Sequence, residues 1–72
     1  MNKRTEILKQ FGRNVKAERV RKGLTQEALA ERMNINSEYI SKVERGMANM
    51  SLKKIAELAD YIGADINDLL RF

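Results

Sequence analysis

The apolar positions of this chain fall at the three- and four-residue spacing of helices, most informatively between Thr25 and Glu44. Leu29 and Met33 mark one short helical face, Ile40 and Val43 mark a second, and a three-residue break separates the two patterns. Gln26, Ser37, Glu38, Ser41 and Lys42 are polar and lie off those faces, so the pair offers one side to a core and another to a partner. Upstream, Ile7, Leu8, Phe11, Val15 and Val20 predict the inward side of a long first helix starting at Asn2 or Thr5 and ending at Lys22. Downstream, Leu52, Ile55, Ala56, Ala59 and Ile62 form the stripe of a fourth helix, and Leu69 and Leu70 fall in a short fifth over residues 65–71.

Local chemistry sets the boundaries. Gly23, Gly46 and Gly63 each follow a helical pattern, where a left-handed residue closes a helix, and Asn34 tolerates that region better than other non-glycines. Thr25, then Asn36 or Ser37, then Ser51 and Asp65 offer side-chain oxygens to the N-termini of helices two to five. Asp65 and Asp68 also suit the positive end of the fifth helix. Gly12 lies inside the first pattern, where it costs helix stability; it marks either close packing or a start nearer Phe11. With no Pro, repeat or linker, the 72 residues predict one all-α domain of five helices.

Composition narrows the function. The absence of Cys rules out disulfides and thiolate metal sites, and the absence of His removes the commonest general base and metal ligand. An enzyme is not expected, nor is a cofactor, a metal or a small-molecule ligand. No run approaches the roughly 18 apolar residues of a membrane span, and residues 1–10 are charged rather than signal-like, so a cytoplasmic protein is expected. So small a core often shares the burden of stability with a second subunit. The net charge of +4 is uneven: residues 1–22 hold eight cations and two acids, the other fifty residues six cations and eight acids. A basic first helix can face phosphates or be a solvated face.

The run Arg19, Gly23-Leu24-Thr25-Gln26, Leu29-Ala30, Asn36-Ser37, Tyr39-Ile40-Ser41, Val43-Glu44-Arg45-Gly46, Asn49, Ser51-Leu52 and Leu69-Leu70 resembles the XRE (Cro and phage-repressor type) helix-turn-helix family from about Phe11 to Leu70. The resemblance implies a compact, lambda-repressor-like domain whose helix-turn-helix occupies residues 25–45 and whose third helix reads duplex DNA. Ser37, Glu38, Ser41 and Lys42 match base-reading positions. Lys can donate to guanine, Glu can accept from cytosine, and Ser is permissive. Glu38 can instead be a solvated acid at a helix start. Gln26, Asn36, Tyr39, Arg45 and Asn49 match DNA-backbone positions, with a half-buried packing role the alternative for Tyr39. Arg19 and Glu44 match a buried ion pair that locks the reading helix to the first. Ala30 falls where the second and third helices cross closest, although Ala is also the best helix former.

One reading helix covers few base pairs, so a homodimer on an inverted repeat is expected, its reading helices about 34 Å apart. Met47, Met50, Ile66, Leu69, Leu70 and Phe72 are the candidate dimer surface, and RNA polymerase is a candidate further partner. With no sensing domain in the sequence, control is expected through concentration and operator occupancy. Phage repressors, restriction-modification controllers and antitoxins are small members of this class; the Tyr39-Ile40-Ser41 and Glu44-Arg45-Gly46 runs are similar to the controllers. The sequence departs from the family where Met47-Ala48-Asn49-Met50 replaces a loop that often carries a basic residue and a proline. Asn34 replaces a common glycine, and the first helix has a basic extension before Phe11. A competing expectation is a helical, antitoxin-like protein-interaction module using the Met-containing loop and apolar tail, with DNA binding secondary.

Overall fold

A computed structural model describes residues 3–72, so a helix start at Asn2 lies outside the described residues. Five helices follow one another: α1 (Lys3–Arg21), α2 (Gln26–Met33), α3 (Ser37–Glu44), α4 (Leu52–Ile62) and α5 (Ile66–Leu69). Strands are absent among the described residues. The capping oxygens take their places. Thr25 accepts from the Ala28 N–H at 2.9 Å, Asn36 from Glu38 at 2.8 Å, Ser51 from Lys54 at 3.1 Å, and Asp65 from Asn67 at 2.8 Å. Between α2 and α3 the chain needs only Asn34, Ile35 and Asn36. Asn34 adopts φ 55° and ψ 46°, and the Ile35 N–H returns to the Ala30 carbonyl. Helix α5 is shorter than the predicted 65–71, because Asp65 is its cap and the chain leaves helical geometry at Leu70.

The core gathers Phe11 and Val15 of α1, Leu29 and Ala30 of α2, Ile40 and Val43 of α3, Ile55, Leu58, Ala59 and Ile62 of α4, and Leu69 of α5. Two expected stripes need correction. In α1, Ile7 and Val20 are exposed, because the buried line runs at four-residue steps from Phe11 through Val15 to Arg19. In α4, Leu52 and Ala56 face solvent and Leu58, absent from the expected stripe, is fully buried. The spacing Ile55, Leu58, Ala59, Ile62 is the tighter helical match.

Helix α1 is continuous through Gly12, which is buried against the end of α3. A Cβ there would stand 2.5 Å from the carbonyl oxygens of both Val43 and Glu44. The glycine therefore serves close packing, not a delayed helix start. Gly46 carries a second constraint: its φ of 76° is left-handed, and a Cβ on it would lie 2.8 Å from the Cα of Lys9. Helix α1 thus lies across the C-terminal end of α3, touching it at Gly12 and the chain just beyond at Lys9.

Candidate nucleic-acid interface

Helix α3 buries Ile40 and Val43, and the helical angle then turns Ser37, Glu38, Ser41, Lys42 and Arg45 together toward the opposite side. Glu38, Lys42 and Arg45 are exposed, Ser37 and Ser41 half-buried. The Arg45 guanidinium folds back along this face, its Nη2 donating to Glu38 Oε1 at 3.0 Å and its Nε to the Ser41 carbonyl at 3.3 Å. Arg45 thus shares the outward face with the four residues expected to read bases. Asn36 is exposed at the start of α3, Asn49 is exposed in the loop that follows the helix, and Tyr39 is 36% exposed at the edge between face and core.

Behind that face sits a buried polar anchor. Arg19 Nε donates to Glu44 Oε2 at 2.6 Å and Nη2 to Oε1 at 3.1 Å, a bidentate pair whose side chains are only 9% and 4% exposed. Arg19 Nη1 also donates to the Leu24 carbonyl at 2.6 Å, which draws in the loop leading to α2. Gln26 Nε2 completes the cluster by donating to Glu44 Oε1 at 3.1 Å. Among the described residues no buried side-chain polar atom lacks a partner, so the charges are compensated within the protomer. The family match located Arg19 and Glu44, while their links to Leu24 and Gln26 carry no sequence signature. Gln26 therefore stands at the start of α2 with one amide hydrogen tied to the anchor and the other free for a partner.

The expected dimer residues divide. Met47 and Phe72 are 65% and 64% exposed, whereas Met50, Ile66 and Leu70 are half-buried against the core. Leu69 is fully buried within the protomer and cannot touch a second copy, because it closes the core beneath α1 and α4. Sequence reasoning also passed over Asn14. Its side-chain amide donates to the carbonyls of Leu69 at 3.0 Å and Arg71 at 2.8 Å, tying the C-terminal segment to α1, and its own oxygen accepts from Gln10 at 3.0 Å. A polar residue one position before the buried Val15 was the available hint. Among the described residues no cluster of acidic side chains could hold a metal ion, and no helix is long and apolar enough to cross a membrane.

A short helix pair with a tight turn, its second helix presenting a polar face from a buried anchor, defines a class, and comparison with known proteins agrees. The chain belongs to the helix-turn-helix family, whose model matches residues 15–69. The control protein C.BamHI of Bacillus amyloliquefaciens is 38% identical over 63 residues, spanning 86% of this chain and 78% of that one. The restriction-modification controller protein C.AhdI from Aeromonas hydrophila superimposes with a TM-score of 0.79 at 37% identity, over 86% of this chain and 94% of the other. The DNA-binding domain of BldD superimposes with a TM-score of 0.85 at 29% identity, over 97% and 99%. Proteins of this kind are DNA-binding transcription regulators rather than enzymes.

Proposed function

We propose that this chain is a sequence-specific regulator of transcription that binds duplex DNA as a homodimer on an inverted-repeat operator. The observation that carries the reading is the outward face of α3, braced from behind by the buried Arg19–Glu44 pair. Ser37, Ser41 and Lys42 read base edges in the major groove, with Glu38 beside them. Gln26, Asn36, Tyr39 and Asn49 hold phosphates on either side, Gln26 through its free amide hydrogen and the exposed first turn of α2. The Arg45 guanidinium, already on the reading face, is in reach of both bases and backbone.

The exposed Met47 and Phe72, together with the half-buried Met50, Ile66 and Leu70, supply apolar surface for a second copy. Two-fold pairing would set the reading helices one DNA turn apart, about 34 Å. The names of the similar control and controller proteins support a regulatory role, and a cytoplasmic location is in keeping with that role. The test is selection from a random duplex library. An inverted repeat with fixed half-site spacing is expected; enrichment of no motif sinks the reading, and a single half-site sinks the dimer.

A further inference from the structure

The loop after α3, Met47-Ala48-Asn49-Met50, holds no cation, and the basic extension of α1 has no part in the reading above. The two features meet in space. A Cβ on Gly46 would lie 2.8 Å from both Cα and Cγ of Lys9 and 2.9 Å from its backbone nitrogen, so α1 rests directly on the residue where that loop leaves α3. Lys9 is exposed, and among the described residues its ammonium makes no hydrogen bond or ion pair. Glu6, one turn earlier, forms no ion pair with it. Arg13 and Lys16, four and seven positions on, continue the same exposed side of α1 past Gly12, where the helix meets the end of α3. The stripe therefore runs beside the C-terminal end of the reading helix rather than on a remote surface.

We propose that Lys9 is a DNA-backbone contact, supplying from α1 the phosphate charge that the loop after α3 lacks. The proposal rests on the DNA-binding reading above and adds to it a residue from outside the helix-turn-helix. Gly46 makes the substitution possible: only a residue without a side chain lets the α1 backbone come so close to the loop. A lysine is suited to the task, being a point charge on a flexible stem that needs no fixed acceptor geometry. Arg13 and Lys16 extend the positive potential along the same side of α1.

The test compares unaltered protein, Lys9→Gln and Lys3→Gln on the duplex selected from the library, with affinity measured across a range of salt. Lys3 lies on the same helix and, like Lys9, borders the groove shared with Arg71 and Phe72, but it is Lys9 that packs against Gly46. Lys9→Gln is expected to flatten the slope of log affinity against log salt by about 0.9, the release expected of one phosphate contact, with the preferred sequence unchanged. Lys3→Gln is expected to leave the slope in place. Acetylation of the unaltered chain should show Lys9 protected by bound duplex and Lys3 not. An unchanged slope in Lys9→Gln, equal losses in both variants, or a Lys9 equally reactive with and without DNA overturns the contact while the reading helix stands. Failure of the unaltered chain to bind any duplex selectively overturns the DNA reading along with it.

Discussion

Single atoms decide how α1 and α3 fit. Replacing Gly12 with Ala should raise helix propensity by about 1 kcal/mol. The added Cβ, however, would meet two backbone carbonyls at 2.5 Å, which cannot rotate aside as a side chain can. Gly12→Ala is therefore expected to destabilise the protein by about 3 kcal/mol, at the upper end of overpacking costs, as read from urea unfolding; unchanged stability would show that the helices slide freely. Gly46→Ala and Gly63→Ala both force a side chain into left-handed backbone, but only the first also meets α1, so it should be the more damaging. At the buried pair, Glu44→Ala strands the Arg19 guanidinium and should cost ~3–5 kcal/mol. Adding Arg19→Ala to that variant should cost little more, and fully additive losses would show that the two side chains do not act as a unit.

Each helix divides its labour by face, and the division can be checked with matched substitutions. In α4, Leu58→Ala should cost ~2–5 kcal/mol and Leu52→Ala almost nothing, since one side chain is sealed and the other 72% exposed. In α3, Lys42→Ala should relax preference at one base position at a cost of ~1–3 kcal/mol; uniform weakening across all sites would assign Lys42 to phosphate instead. Most of this architecture was legible beforehand, because caps and periodicity are local properties. Thr25, Ser51 and Asp65 marked three helix starts by oxygen chemistry alone, and a fourth was narrowed to Asn36 or Ser37, of which Asn36 is the cap. Val20 and Leu52 misled because apolar residues in the first or last turn can satisfy the helical period and still overhang the core. The Gln26–Glu44 bond and the Asn14 tether were not legible, since they join residues 18 and more positions apart through geometry that only the packed helices define.

The whole protomer has a small core, with Met47, Phe72, Ile7 and Tyr61 left on its surface. If a second copy covers Met47 and Phe72, folding and association are linked, and the melting temperature should rise with protein concentration. Met47→Ser with Phe72→Ser should abolish that rise and lower affinity for the full operator more than for a half-site, read by sedimentation and by titration of both duplexes. A melting temperature independent of concentration in the unaltered chain would remove these residues from any interface.

The side-chain hydrogen bonds and ion pairs on the outward side of α3 stay within that helix, Arg45 with Glu38 and with the Ser41 carbonyl, while the core and the anchor hold its other side. On the proposed reading, the positions that read bases are separate from the residues that keep the chain folded, whereas Gln26 and Asn36 serve both the fold and the phosphate contacts. On that reading, substitutions at positions 37, 38, 41, 42 and 45 are expected to shift operator preference while leaving thermal stability nearly untouched. A chain built on this frame would then change its target with few substitutions and no need to rebuild the fold.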